Sequence, residues 1–285
     1  MPSRPWTGWR VRSAIRWADT SARVAALLAL ALAAAPAAAR NDGADGRFEQ
    51  RESPNFVLFQ DVDIDESGGL RGSRRFEQQV LTELEGAHES LDDLLGLRPP
   101  RRIQVVVYDP RVFDATFSRS FAFQAAGFFN GAIHIRGAAA LSAPLARTLH
   151  HELVHAAFDA AAPSLILPAW LNEGAAEWFE ARAAGKRHLS GPEAAYLAGA
   201  LRSGGWLPLE ALSAPSFGRL GQGSATLAYL QSYGMVEHLA RRHGERQLRS
   251  FCDALVESRD VERALVRTYR MGSHDVAAEF AAELW

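Results

Sequence analysis

The chain has 285 residues, 48% hydrophobic and 22% charged, with a formal charge of −2 and one cysteine. That is an ordinary globular composition for one large domain or two small ones, and it excludes wholesale disorder and collagen-like repeats. The near-neutral charge gives no electrostatic reason to expect a nucleic-acid partner, and the lone Cys252 excludes an intramolecular disulfide framework or a cysteine-rich metal site.

Charge is unevenly distributed. Residues 1–39 hold Arg4, Arg10, Arg12, Arg16 and Arg23 against Asp19, and the remainder is mildly acidic. The basic stretch runs into an apolar block, Val24 to Ala35, and then Pro36-Ala37-Ala38-Ala39. This order predicts a secretory signal peptide over residues 1–39, cleaved after Ala39, and an exported, soluble mature chain, periplasmic or secreted, with no stable membrane span. The alternative is an uncleaved anchor, but the block is about 12 residues against the ~20 that span a bilayer. Residues 40–53 read as a flexible polar leader.

Along the rest, Asn55 to Gln60 reads as a strand, and Phe76, Val80, Leu84, Leu91 and Leu95 fall at helical spacing over Gly72 to Leu97. A second strand runs from Arg102 to Tyr108 and ends at Asp109-Pro110; Asn130-Gly131 then turns a hairpin between Gly127 and Ile135. After about residue 142 every segment reads as helix. Starts are marked by Ser142 with Pro144, Pro168, Ser190 with Pro192, and Ser224; stops by Gly185, Gly204-Gly205 and Gly244. The pattern predicts an α+β fold of residues 54–285: an α/β lobe (54–141), a helical lobe (142–285) and a cleft between them.

The segment that carries chemistry is His150-His151-Glu152-Leu153-Val154-His155, which contains H-E-x-x-H. Residues i and i+4 of a helix share a face, so His151 and His155 can hold one metal ion. Glu152 lies about 100° around, beside that ion, where its carboxylate can take a proton from water. Leu145, Leu149, Leu153 and Ala156 form an apolar stripe on nearly the opposite side. Catalytic zinc takes three protein ligands. Downstream, Pro168 opens a helix on which Glu173, Glu177 and Glu180 share a face where a third ligand could come from; Glu180 reads as part of a solvated face, Glu173 does not.

His151-Glu152-x-x-His155 followed by Asn172-Glu173-Gly174 resembles the gluzincin metallopeptidases, which include thermolysin-like enzymes and zinc aminopeptidases. The resemblance covers roughly residues 54–280. It implies one zinc per chain held by His151, His155 and Glu173, with Glu177 hydrogen-bonded to a ligand histidine. It implies an edge strand around Ala132–Arg136 that pairs with extended peptide. It also implies a transition-state tyrosine on the Ala228–Gly234 helix, Tyr229, with Tyr233 one turn later as the rival. The departures are informative. The Gly-x-Met-Glu-Asn segment that captures an amino terminus is missing, which points away from aminopeptidase activity. Glu177 stands where thermolysin-like enzymes have aspartate, no third histidine follows at metzincin spacing, and Asp61, Asp63 and Asp65 lack the glutamate of a calcium loop.

The implied function is an exported zinc endopeptidase acting on peptide or protein substrates. The alternative is a non-catalytic, zinc-containing envelope module that binds a partner peptide in the same groove, a role with no need of Glu152. The remaining titratable groups read as structural. His150 is a flanking polar residue; His88, His188, His238, His243 and His274 are surface or capping groups; Cys252 is an inert buried thiol. His134, on the presumed edge strand, is the one other histidine with a route to the cleft. Substrate preference and oligomeric state leave no mark in the sequence.

Overall fold

The computed structural model describes residues 47–61, 73–117, 126–218 and 220–285. The signal-peptide segment, Asp63 and Asp65 lie outside these residues. The chain opens with β1 (Phe48–Glu52), β2 (Phe56–Asp61), α1 (Ser73–Leu95), β3 (Ile103–Tyr108), α2 (Pro110–Phe117), β4 (Gly127–Phe129) and β5 (Ile133–Arg136). The helices α3 (Ala143–Ala161), α4 (Ala169–Ala183), α5 (Gly191–Arg202), α6 (Leu209–Leu212), α7 (Gln222–His243), α8 (Glu245–Ser258), α9 (Val261–Tyr269) and α10 (Ser273–Glu283) follow. The fold is α+β. One mixed sheet is succeeded by helices alone.

The sheet order is β1-β2-β3-β5-β4, with β2, β3 and β5 parallel and β1 and β4 antiparallel at the edges. Two sequence expectations change here. Residues 48–52, read as part of a leader, form a strand: the polar sequence Phe48-Glu-Gln-Arg-Glu52 suits an exposed edge, where charge discourages further pairing. The strand around Ala132–Arg136 is interior, because the Asn130-Gly131 turn folds β4 back along it and gives the edge to β4. Gly131 adopts φ 69°, which lets Asn130 N–H reach the Ala132 carbonyl at 2.9 Å.

Strand alternation sorts the side chains. Leu58, Val105, Val107, Ile133 and Ile135 face the main core with α1 and α3; Val106, Tyr108, Phe128 and Ala132 face a smaller cluster with Phe113 of α2. His134 belongs to that second face. It is buried, stacked on Phe128 at 4.8 Å, with Nδ1 3.0 Å from the Tyr108 hydroxyl, so it does not serve the cleft.

Helix starts follow local chemistry. Ser142 Oγ accepts from Leu145 N–H (3.3 Å) at the head of α3, with Pro144 in the first turn. α7 begins at Gln222 after Gly221, two residues ahead of Ser224, and ends at Gly244 with φ 92°. Two glycines set the helix stacking. A Cβ on Gly174 of α4 would stand 2.4 Å from the Ser232 carbonyl oxygen of α7, and one on Gly234 of α7 would stand 2.2 Å from the Phe280 ring of α10. Behind that second contact His238, expected at the surface, is fully buried, with Nδ1 3.0 Å from Glu283 and Nε2 3.5 Å from Glu279. Cys252 is buried, and burial pushes its thiol up to about 12. Among the described residues no helix is long and apolar enough to cross a membrane.

Candidate metal centre

α3 lays Arg147, His151, His155 and Asp159 along one side at four-residue steps, and α4 packs against that side with Asn172, Glu173, Glu177 and Glu180. The two helices bring the three expected ligands together. Glu173 Oε2 lies 3.4 Å from His151 Nε2 and 3.7 Å from His155 Nε2. A tetrahedral ion with arms of ~2.0–2.1 Å has ligand-to-ligand edges of ~3.3–3.5 Å, so the spacing suits one ion with little movement.

Burial makes the same point independently. His151 is 1% exposed and both of its ring nitrogens are buried without a hydrogen bond, as is Glu173 Oε2. Buried polar atoms are almost always paired, so two orphans aimed at one point fit a site that a cation completes. His155 Nδ1 donates to Asn172 Oδ1 at 3.0 Å, which leaves Nε2 as the lone-pair nitrogen facing Glu173. Asn172 thus orients His155, a role its place beside Glu173 did not by itself disclose.

Glu180 needs correction. It is not on a solvated face: its Oε2 is 3.6 Å from His151 Nδ1 and its Oε1 3.4 Å from Arg147 Nε. Glu177, the expected partner of a ligand histidine, lies in the same group but has Oε1 buried without a hydrogen bond. Arg147 is therefore the cation that accompanies Glu180 towards His151, and sequence spacing alone did not single it out. His150 ties α3 to α1 through Glu83 at 2.8 Å.

The crowding of acids shows in the electrostatics. Burial, with Glu173 and Glu180 adding, pushes Glu152 up to about 8 against the pull of His151 and of a hydrogen bond from the Phe129 backbone. Burial and Glu180 push Glu177 up to about 8. For His151, burial works towards a lower value, but the carboxylates of Glu173 and Glu180 outweigh it and hold the ring well above its ordinary value. Burial lowers His155.

On α7 both tyrosines are buried. Burial and then Glu173, Glu177 and Glu152 raise Tyr229, whereas the charges felt by Tyr233 are chiefly Glu237 and Glu193, and Lys186 Nζ sits 4.3 Å over its ring. Three of the centre's carboxylates thus bear on Tyr229, whereas Glu177 alone of them bears on Tyr233. A hollow of about 310 Å³ opens beside His155 and Glu173 under the β4–β5 turn. No family model matches the chain, and no curated protein matches it.

Proposed function

We propose that the protein is an exported zinc peptidase, probed most directly as an endopeptidase, with a gluzincin-like cleft between its sheet-bearing and helical parts. The observation that carries this reading is the convergence of His151 Nε2, His155 Nε2 and Glu173 Oε2, two of them buried orphans, next to a buried glutamate that ligates nothing. Two imidazoles and one carboxylate are a donor set that suits zinc, and leave a position open. Bound there, zinc supplies Lewis acidity towards a carbonyl and makes a water molecule acidic near neutral pH.

The chain's own residues supply the rest. Glu152, held by the Phe129 backbone N–H, takes the proton from the attacking water and returns it to the leaving amine. Tyr229 donates its hydroxyl to the oxygen on which negative charge develops. Ala126 and Asn130 bond across to the β5 side of the hairpin, so Gly127 and the Phe129 carbonyl turn to the outer side of β4, which among the described residues carries no further strand. An extended peptide pairs with that edge, which the turn at Gly131 presents beside the hollow.

The test is metal content together with digestion of a peptide library, with and without chelator. The purified chain should carry about one zinc, and Glu152→Gln should keep zinc and fold but lose hydrolysis, since an amide cannot accept the proton. A glutamine variant that turns over peptide at the wild-type rate would overturn the assignment of the base. A zinc-loaded wild type that binds peptides and cleaves none would favour a binding module.

A further inference from the structure

The hollow beside His155 has an acid with no assigned task. Resting on the peptidase reading, we infer that this hollow selects a cationic side chain, lysine or arginine, on a residue flanking the scissile bond, with Asp159 as the acid that recognises it.

The argument begins on α3. Asp159 is one four-residue step beyond His155, ~6 Å further along the helix, which an extended lysine stem spans. The hollow of about 310 Å³ runs between these two residues. Its walls include Phe129, Phe158, Leu165 and Leu167, apolar surface on which the methylenes of a long cationic side chain pack while the charged head reaches past them. Among the described residues no lysine or arginine lines it. Once Glu173 and His155 are taken by the metal, Asp159 is the charge left to meet a side chain.

Two further features fit an acid kept for a ligand. Asp159 is exposed and, among the described residues, makes no hydrogen bond or ion pair. It stands in the last turn of α3, which has no basic residue, and a negative charge there is set against the helix's own negative end. An acid at that position weakens the helix, and no contact among the described residues offsets that. Arg101 and Arg102 line a separate hollow of about 150 Å³ that shares Phe129, Gly131 and Asp159; Arg102 pairs with Glu52, and no ion pair joins either arginine to Asp159.

The experiment uses internally quenched peptides identical except for Lys, Arg, Leu, Ala or Glu on either side of the cleaved bond, with the zinc-loaded chain. At one of the two positions kcat/KM for Lys and Arg should exceed that for Leu and Glu by about tenfold, the effect of an ordinary charge-assisted hydrogen bond. Asp159→Asn should bring the Lys-to-Leu ratio towards one, and Asp159→Lys should turn the preference to Glu. Equal rates across the set, a preference for Leu, or a Lys preference that survives Asp159→Asn overturns the subsite and leaves the peptidase reading standing. Anisotropy of labelled Lys and Glu peptides on zinc-loaded Glu152→Gln separates the two readings. Selective, Asp159-dependent binding of the Lys peptide without cleavage by the wild type supports the subsite and overturns the peptidase. Neither cleavage nor selective binding overturns both.

Discussion

His151 offers two ring nitrogens, and the packing asks something of each: Nε2 faces Glu173 at 3.4 Å and Nδ1 faces Glu180 at 3.6 Å. At 3.6 Å the Glu180 carboxylate is a small movement short of a hydrogen bond to Nδ1, and closing that gap would fix the tautomer and make the imidazole a better ligand. Glu180→Gln should therefore weaken zinc binding by about 10–100-fold in a chelator competition, the usual effect of losing such a partner. Glu177→Gln should weaken it less; the reverse order would put the supporting role one turn earlier on α4. The tyrosines separate in the same way. Tyr229→Phe should lower kcat and kcat/KM together, by ~10²–10³-fold, because the donor acts in the transition state. Tyr233→Phe should cost far less, and steady-state kinetics on any cleaved peptide distinguishes them. The histidines and Glu152 were legible in the sequence because their geometry is internal to one helix. Glu180 and Asn172 were not: a third acid on a helical stripe looks solvated until α3 is laid against it, and which face of α4 meets α3 is decided by tertiary packing.

At the scale of elements, the contact between α4 and α7 brings Tyr229 towards the centre, and Gly174 makes it possible. Alanine is the better helix former by ~1 kcal/mol, so an isolated α4 would gain from Gly174→Ala. In the fold the new Cβ meets the Ser232 carbonyl oxygen at 2.4 Å, and main chain yields poorly. The substitution should destabilise the protein by ~1–3 kcal/mol in urea unfolding, the usual cost of overpacking. It should also weaken zinc binding, because Glu173 is the preceding residue. Wild-type stability in the variant would mean that α7 shifts freely and does not set the position of α4. Strands and helices were mostly readable from periodicity and caps; their neighbours were not. The Asn130-Gly131 turn announced a hairpin, but which of its strands lies at the sheet edge is decided by the long-range pairing of β5 with β3. β5 carries the apolar alternation Ile133, Ile135 that a strand buried between neighbours needs, while β4 is only Gly127–Phe129, short enough to be left at an edge.

At the scale of the whole molecule, one continuous core runs from Phe56 on the sheet to Phe280 on α10, and the charged centre sits inside it. Glu152, Glu173, Glu177 and Glu180 meet there with Arg147 and two histidines, an arrangement that favours protons or a cation. Glu152 and Glu177 rise from an ordinary 4.5 to about 8 in the folded, metal-free chain. Folding then takes up protons between those values, so these groups stabilise the fold most below pH 4.5 and lose that contribution as pH rises through about 8. His151, raised as well, works with the same sign above its ordinary value of 6.5, whereas the lowered His155 works oppositely and only below 6.5. Scanned upward from that point, chelator-treated protein should therefore show a Tm that falls through about pH 8, the carboxylates' share of the slope ending there. Zinc should reverse the slope. It replaces the protons it displaces, binds more tightly as they leave, and adds ~2.7 kcal/mol at a free concentration a hundred times its Kd. Calorimetry at matched pH with and without zinc measures both trends. Parallel pH profiles in the two states would mean that the buried carboxylates do not share the ion's field, and that the metal, if bound, lies elsewhere.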